Sequence, residues 1–348
     1  MPRSTAAYTI YGHTALRVQN PADNMDVVFN WGTFDFQAPN FLYRFVKGET
    51  DYFLSYTDYN RFLFAYAMDN STIIEQKLNL PSEGKAELFR LLSINVQPEN
   101  LVYRYDFLFD NCTTRVRDLI ETGTENQLSY KELKEPVTFR QLIHSCTAPY
   151  PWMTFGIDLL VGSGSDSLIH TRQSLFLPAN LMKALDDSPF VISSEEILTA
   201  TSTPASKSHF WESPMIAGWR VFILGVICCL LSIKNKIPFR IYSAILFLIA
   251  GITGCIVLFV TMFSYHPCTS PNWNILWLHP LHFIGFAGCF FKRLPRWITW
   301  YHGLNFVVLA GLLIGWCWVP QGLNAAGVPY ILCLGLISGV QIKFLYRT

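Results

Sequence analysis

Polar and apolar positions alternate in short segments near the start of the chain. Residues 8–18 follow this pattern, residues 27–31 form a second and mostly apolar run, and the polar stretch 20–26 between them contains Pro21. Alternation with a period of two is typical of a strand that buries one face. The pattern therefore predicts two strands joined as a hairpin.

Two helices are predicted further along the first part of the chain. Residues 82–92 show helical spacing and begin with Ser82, a residue type that caps helices. A second helix is expected to follow Asp110 and Asn111, which can cap it, and to run to about Ile120. Gly123 is expected to end it.

The second part of the chain contains long apolar stretches. Each approaches the ~20 residues that a helix needs to cross the hydrocarbon core of a membrane. The stretches are residues 216–233, 241–263, 275–291, 297–319 and 326–345. The third is short and contains Pro280, but together they predict an all-α bundle of about five transmembrane helices.

The basic residues of this second part lie in alternate connections between the stretches. They are Lys234, Lys236 and Arg240 in the first connection, Lys292, Arg293 and Arg296 in the third, and Lys343 and Arg347 in the tail. The second and fourth connections, residues 264–274 and 320–325, contain no Lys or Arg. Since basic loops remain in the cytoplasm, we expect a cytoplasmic C-terminus and an N-terminal domain outside the cytoplasmic (inner) membrane.

Charge divides the chain at the same place. The first 212 residues hold all 25 acidic residues and 17 of the 26 basic ones, a net charge of −8, whereas the remainder holds nine basic residues. We expect an exterior domain over residues 1–200, a linker over 201–214 and a membrane domain over 215–348. An exported domain requires a signal peptide, and because none precedes the first strand pattern we expect a processed or trimmed start.

Cys112 lies at the start of the second predicted helix, in Asp-Asn-Cys-Thr-Thr-Arg (110–115). Backbone N–H groups and the helix dipole at such a position stabilise a thiolate and can hold an oxyanion. Asn111 beside it is a candidate for oxyanion support. The alternative is a buried structural cysteine without chemistry.

His13 is the candidate base, in Tyr-Gly-His-Thr-Ala-Leu-Arg-Val (11–18) on the first predicted strand. A single strand histidine is more often a satisfied core or surface residue. A His strand ahead of a Cys helix is, however, the order expected of a circularly permuted papain-like fold, in which a third polar group orients the imidazole. The neighbouring strand offers Asn30 for this role, with Asp35 and Tyr11 as further candidates.

Four separated segments of the chain match the pattern of a known family. They are Gly-His-Thr-Ala-Leu-Arg-Val (12–18), Phe-Asn-Trp-Gly-Thr-Phe-Asp-Phe (29–36), Phe-Asp-Asn-Cys-Thr-Thr-Arg (109–115) and Pro-Asn-Trp-Asn-Ile-Leu-Trp (271–277). In this order the chain resembles the Lnb-type bacterial lipoprotein N-acyltransferases. The resemblance implies an α+β permuted papain-like (NlpC/P60-like) periplasmic domain followed by a transmembrane region.

The resemblance also implies the chemistry. Cys112 would be the nucleophile that accepts an acyl chain, and His13 would be its base. A membrane phospholipid would be the acyl donor and a diacylated lipoprotein the acceptor. The product would be a lipoprotein with a third, amide-linked acyl chain.

Several other residues are candidates for contact with lipid. They are His266, Asn272, Asn274 and Trp277 at the second connection of the bundle, together with Arg17 and Arg115 in two of the motifs. The alternative for residues 271–277 is an interfacial loop anchored by its tryptophans. Residues 29–66 are rich in aromatic side chains, which usually form a core but can also line an acyl-chain path or enter the membrane interface.

Three functions compete on these observations. The first is acyl transfer through a thioester on Cys112, with both lipid substrates in one leaflet. The second is a periplasmic cysteine peptidase or amidase acting on cell-wall peptides, which needs no multi-span anchor. The third is a non-catalytic assembly or transport subunit, and the lack of acidic residues in the predicted spans argues against transport. We expect no metal site, no cofactor and no nucleic-acid partner.

Overall fold

A computed structural model of the chain describes residues 9–201 and 210–343, which form two compact units. The first unit contains the described residues up to Leu142, those from Leu168 to 201, and Tyr265–Pro267. The second contains Ile143–Ser167, residues 210–264 and residues 268–343. The predicted linker over 201–214 includes residues 202–209, which lie outside the described part, so its boundaries stay a prediction.

A four-stranded antiparallel sheet is the centre of the first unit. The strands of the chain are β1 (Leu16–Asn20), β2 (Met25–Thr33), β3 (Asp51–Asp58), β4 (Ile73–Leu78), β5 (Val102–Arg104), β6 (Val137–Thr138), β7 (Leu168–Ile169) and β8 (Val191–Leu198). The central sheet has the order β1-β2-β3-β5, and β4 pairs with β8 and β6 with β7. The predicted hairpin is present, since β1 pairs with β2 from Leu16 opposite Phe29 to Asn20 opposite Met25.

The first predicted strand is wrong over its early residues. Thr9–Tyr11 form a 3-10 turn and residues 12–15 a loop, so that His13 precedes β1 rather than lying on it. Gly12 causes the break because its φ of +79° is incompatible with a strand, and a Cβ there would lie 3.3 Å from Pro178. The predicted start at residue 8 lies outside the described part of the chain.

Eight helices lie among the described residues between β2 and β8. They are α1 (Phe41–Lys47), α2 (Tyr59–Met68), α3 (Ser82–Asn95), α4 (Cys112–Gly123), α5 (Phe139–Thr147), α6 (Pro151–Leu160), α7 (Thr171–Ser174) and α8 (Pro178–Asp186). Six of them belong to the first unit, α5 continues into the second unit at Ile143, and α6 belongs to the second unit. Helices α3 and α4 pack closely, since a Cβ on Gly84 would lie 1.8 Å from the Gly123 carbonyl oxygen. Trp31 of β2, Leu92 of α3 and Val116 of α4 are buried in one core, which holds the first turn of α4 against the sheet.

The second unit is helical. Besides α6, its described helices are α9 (Pro214–Leu231), α10 (Lys236–Phe263), α11 (His282–Gly288), α12 (Arg296–Ile314) and α13 (Val328–Lys343). Among the described residues, four helices are long and apolar enough to cross a membrane: Pro214–Leu231, Lys236–Phe263, Arg296–Ile314 and Ala325–Ile342. The predicted order of an α+β domain followed by an all-α region is therefore confirmed.

The third predicted span, residues 275–291, is not one helix. It consists of a 3-10 turn (Trp273–Leu276), a break that contains Pro280, and the short helix α11. The break frees backbone groups that side chains then bond, because His282 Nε2 lies 2.9 Å from the Trp277 carbonyl oxygen and His282 Nδ1 lies 2.8 Å from the Tyr301 hydroxyl. Buried polar partners of this kind allow a broken helix inside a bundle.

The broken segment nevertheless runs the length of α10 in the opposite direction. A Cβ on Gly254 would lie 2.5 Å from the His279 backbone, and a Cβ on Gly251 would lie 3.3 Å from the Phe283 ring. At the end of the segment, Arg240 Nη2 donates to the Phe291 carbonyl oxygen at 2.6 Å. The basic connection after α11 therefore lies at the same end of the bundle as the start of α10.

Candidate active site

Cys112 is the first residue of α4, and Asn111 is the N-cap. The Asn111 side-chain oxygen accepts from the N–H groups of Thr113 and Thr114 at 2.8 and 2.9 Å, and the Thr114 hydroxyl accepts from the Asn111 N–H to complete a capping box. The Asn111 amide donates to the carbonyls of Phe107 and Phe176. The cap thus fixes the thiol at the positive end of the helix dipole.

His13 and Asn30 complete a line of three polar side chains. His13 Nε2 lies 2.5 Å from Asn30 Oδ1, which leaves Nδ1 for the hydrogen bond between His13 and Cys112. The loop that holds His13 is itself tied to α4, because the Thr14 N–H donates to the Cys112 sulfur and the hydroxyls of Thr14 and Thr113 lie 3.1 Å apart. His13 keeps access to solvent, so a substrate can reach the pair.

Gly32 lies next to both the His13 and the Cys112 side chains. The pairing of β2 with β3 is irregular between Asn30 and Thr33, and Gly32 there has a φ of +103°. A Cβ on Gly32 would lie 3.6 Å from His13 Cε1 and 3.8 Å from the Cys112 Cβ. The bulge therefore allows β2 to place Asn30 next to His13. The missing side chain of Gly32 leaves room for the His13 ring and the Cys112 thiol.

The pairing sets the protonation of both groups. Burial by itself raises the pKa of the Cys112 thiol, but the hydrogen bond and charge of His13, with smaller contributions from Thr14 and Thr113, bring that pKa below its ordinary value. Burial by itself lowers the pKa of the His13 imidazole, but Cys112 and then Asn30 raise it above its ordinary value. Both shifts favour a thiolate beside an imidazolium.

The Cys112 backbone supplies a donor for a developing oxyanion. Its N–H is the first of α4 and has no hydrogen-bond acceptor among the described residues. A backbone N–H at a helix N-terminus beside a nucleophile is a recurring oxyanion donor. The Asn111 amide, the sequence-predicted support, instead binds the two carbonyls named above.

Tyr11 and Asp35 are placed away from the His13 nitrogens. The Tyr11 ring packs edge-on against Phe107 with centroids 4.7 Å apart. The Asp35 carboxylate accepts from the Gln37 N–H at 2.8 Å, in a turn after β2. Of the three candidates for the third residue, the structure brings Asn30 to His13.

Comparison with known families accounts for both parts of the chain. Residues 4–145 match the family model described as the Lnb N-terminal periplasmic domain, and residues 205–348 match the one described as the Lnb transmembrane domain. The chain belongs to the Lnb family. It is therefore a membrane protein with a periplasmic N-terminal domain and an enzyme of the lipoprotein N-acyltransferase type. No curated protein and no solved structure was found to be similar.

The two arginines predicted to contact lipid are engaged within the first unit of this Lnb-family chain. Arg17 pairs with Asp26 at 2.6 Å and Glu75 at 2.8 Å. Arg115 pairs with Asp110 at 2.6 Å, and its guanidinium lies 3.6 Å from the centroid of the Tyr103 ring. Since carboxylates already neutralise both charges, a role in lipid binding stays a prediction.

The Asn272 and Asn274 side chains are buried in the second unit. The Asn272 amide donates to the carbonyls of Leu159 and Leu160, and that of Asn274 to the carbonyl of Asp158, so both secure the end of α6. These bonds occupy side-chain donors that the predicted contact with lipid would need.

Two further predicted lipid contacts also have internal partners. The buried Trp277 Nε1 donates to the Asn274 side chain at 2.9 Å, within the second unit. In the first unit, His266 Nε2 lies 2.7 Å from the Phe45 carbonyl oxygen. Neither contact tests whether the same residues meet lipid.

Sequence reasoning missed Thr14 and Gly32 as parts of the site. For Gly32 a signal was present, since a glycine inside an alternating strand marks a bulge or a close approach. For Thr14 no pattern in the sequence indicated that its N–H meets the Cys112 sulfur. The geometry of the candidate site thus depends on backbone positions as well as on the three polar side chains.

Proposed function

We propose that this enzyme transfers an acyl chain from a membrane phospholipid to the α-amine of a diacylglyceryl-cysteine lipoprotein through a thioester on Cys112. The observation that carries the proposal is the line from Cys112 through His13 to Asn30 at the capped start of α4. Such a line is the working arrangement of cysteine nucleophiles in acyl transfer. The His residue precedes the Cys in the chain, as expected of a permuted papain-like domain.

In the first half-reaction, the Cys112 thiolate attacks an ester carbonyl of the phospholipid. The Cys112 N–H donates to the oxyanion of the tetrahedral intermediate. The C–O bond of the ester then breaks, and the imidazolium of His13 gives its proton to the departing lysophospholipid oxygen. The acyl chain remains on sulfur as a thioester, and His13 is neutral.

In the second half-reaction, the free α-amine of the lipoprotein attacks the thioester carbonyl. Neutral His13 accepts a proton from the amine as the C–N bond forms. The C–S bond breaks, so that the Cys112 thiolate and the imidazolium are restored together with an amide-linked acyl chain. Asn30 keeps the imidazole in the orientation that both transfers require.

A cysteine peptidase would use the same three side chains, so the site alone does not separate the two functions. Support for acyl transfer comes from the family assignment and from the membrane part, which holds the enzyme in the bilayer that contains both lipid substrates. A peptidase that acts on cell-wall peptides gains nothing from four long apolar helices.

The proposal is tested with the full-length enzyme in phospholipid vesicles and two synthetic diacylated lipopeptides. One has a free α-amine and the other is N-acetylated. We expect a mass increase of one acyl chain on the first only, and none with Cys112→Ala. Cys146→Ala, the matched cysteine control, should behave as wild type. Cleavage of the peptide in place of acylation would support the peptidase.

A further inference from the structure

A row of aromatic rings begins beside Cys112. The Tyr105 and Tyr52 rings stack with centroids 4.2 Å apart and pack in the same hydrophobic cluster as Cys112, whose charge is among the interactions that raise the pKa of both phenols. Tyr52 is 8% exposed and its centroid lies 4.9 Å from that of Phe34. The row therefore starts in the core, next to the nucleophile.

The row continues outward to helix α1. The Phe34 ring contacts Phe36 and Phe41, with centroids 4.4 and 5.8 Å away, and Phe41 lies 5.9 Å from Phe45. Exposure rises along the row, because Phe36 is 62% exposed and Phe45 46% exposed. A continuous row of contacting rings thus connects the buried start to the surface.

The row of rings ends at helix α1, which has an exposed apolar surface. Leu42 is 73% exposed, and the exposed Tyr43 and Phe45 are its neighbours on α1. Arg44 and Lys47 on the same short helix pair with Asp51 and Glu49, so Leu42, Tyr43 and Phe45 supply its exposed surface. Exposed apolar and aromatic side chains on one helix are typical of segments that lie in the interface of a membrane.

Residues at the end of a membrane span are bonded to α1. The Tyr265 N–H donates to the Lys47 carbonyl oxygen at 2.8 Å, and His266 Nε2 lies 2.7 Å from the Phe45 carbonyl oxygen. Gly48, which follows α1 and has a φ of +75°, makes this close approach possible. A Cβ at this position would lie 2.9 Å from the backbone nitrogen of His266. The C-terminal end of α1 is therefore fixed to this segment.

The covalent chain bounds the distance from this segment to the membrane. Tyr265 is the second residue after Phe263, the last residue of α10. Two residues span at most about 7 Å. Since α10 is long and apolar enough to cross the bilayer, the segment bonded to α1 begins within that distance of the end of a candidate span.

We propose that α1 lies in the membrane interface and that the row of rings behind it, from Phe36 and Phe45 to Tyr52, is the binding site for the acyl chain on its way to Cys112. The inference rests on the proposed function, which supplies a lipid donor. An acyl chain needs an apolar lining that opens to the bilayer at one end and to the nucleophile at the other. The row of rings begins at the exposed Phe36 and Phe45 and ends at the buried Tyr52 near Cys112.

The first experiment separates the lipid path from the chemistry. The double variant Leu42→Ser and Tyr43→Ser, at two exposed positions of α1 outside the row of rings, is compared with Phe89→Ser and Ile94→Ser on α3, whose side chains are 46% and 40% exposed. Acylation of Cys112 is measured with phosphatidylethanolamine and phosphatidylglycerol vesicles, and with water-soluble p-nitrophenyl butyrate. All proteins keep their membrane spans, so membrane attachment is the same.

We expect the α1 variant to lose at least tenfold in rate with vesicles and to match wild type with the short ester, while the α3 variant matches wild type with both. Equal rates for all proteins with vesicles, or an equal loss in the α3 variant, would overturn the lipid path and leave the thioester chemistry in place. If the wild-type protein is acylated by neither ester, the proposed function itself fails.

A second experiment locates the bound chain. Cys112 is acylated from a phospholipid whose sn-1 and sn-2 chains both carry a diazirine at the last carbons, and the sample is then illuminated. We expect cross-links in the peptide that contains residues 34–45. Cross-links confined to α3 or to the membrane helices would overturn the path, whatever the kinetic result.

Discussion

At the scale of single residues, the reactivity of Cys112 depends on what its neighbours do to two protons. Its place at the first turn of α4 and its hydrogen bond with His13 oppose the effect of burial, which alone would keep the thiol neutral. Asn30 acts one step further away, since it touches the ring and not the sulfur. The three side chains should therefore differ in what their removal costs.

Replacing His13 should be more harmful than replacing Asn30. In the proposed mechanism His13 moves the proton, so turnover of His13→Ala should fall about a hundredfold to ten-thousandfold, the usual contribution of a general acid or base. Asn30→Ala removes only orientation and should cost less. Steady-state kinetics measure both, with thermal unfolding as the control for folding. An inactive Asp35→Ala beside a silent Asn30→Ala would assign the third position to Asp35.

The pKa shifts predict an unusual pH dependence for alkylation of Cys112 by iodoacetamide. A lowered thiol pKa means more thiolate at a given pH, so labelling should persist below the pH at which an ordinary thiol stops reacting, and should be lost only as pH falls through the lowered pKa. His13→Ala should move this midpoint to higher pH. Cys146, whose pKa is raised by burial, serves as the internal comparison in the same digest. Coinciding profiles for the two cysteines would contradict the ion pair.

At the scale of elements, strand β2 and helix α4 do different work for the site. Helix α4 places the thiol through a local cap, whereas β2 places Asn30 through a bulge that also makes room at Gly32. The loop before β1 then closes the site, because the Thr14 N–H bonds the sulfur. The geometry of the site is thus set by three elements together: helix α4, strand β2 and the loop before β1.

The bulge is tested by Gly32→Ala. The added Cβ would make ordinary contacts with His13 and Cys112, but the φ of +103° is strained for any residue with a Cβ. We expect a loss of about 1–3 kcal/mol in the free energy of unfolding, and a loss of turnover as the strand shifts. Gly156→Ala on α6, where a Cβ would meet nothing within 4 Å, is the control and should lose neither. Wild-type turnover in Gly32→Ala would show that the bulge does not set the geometry.

Local signals made part of the site predictable. The Asn-Cys helix start could be foreseen because a cap is formed by residues next to one another, and Asn30 because hairpin register places it near the His13 segment. The position of His13 in a loop could not, since it depends on Gly12 meeting Pro178, a residue far away in the sequence. The break before α11 is a similar case, because the groups that bond His282 include a hydroxyl from α12.

At the scale of the whole molecule, the basic connections and the helices give one consistent topology. The third crossing is broken, but its far end reaches Arg240 at the start of α10. Four helices are candidate spans, and a fifth passage through the broken segment stays a prediction. With that passage, the basic and non-basic connections alternate as the sequence predicts. With the N-terminal domain in the periplasm, this arrangement places the C-terminus in the cytoplasm as a prediction.

Topology reporters test this count. A reporter fused after Thr348 should read cytoplasmic, and one inserted at residues 268–270 should read periplasmic, because the first follows a basic connection and the second a connection without Lys or Arg. Western blotting of each fusion checks that it is made in full length. A periplasmic C-terminus would mean that the segment with Pro280 does not cross.

The measurement that tests the central claim most directly is acylation of Cys112 by phospholipid before any acceptor is present. Lysophospholipid should appear in a burst equal to the amount of enzyme, and intact-mass and peptide analysis should find one acyl chain on Cys112. A lipopeptide with a free α-amine should then remove that chain, and an N-acetylated one should not. Cys112→Ala should show neither the burst nor the adduct while still inserting into membranes. N-acylation of the lipopeptide by Cys112→Ala at the wild-type rate would contradict the thioester mechanism.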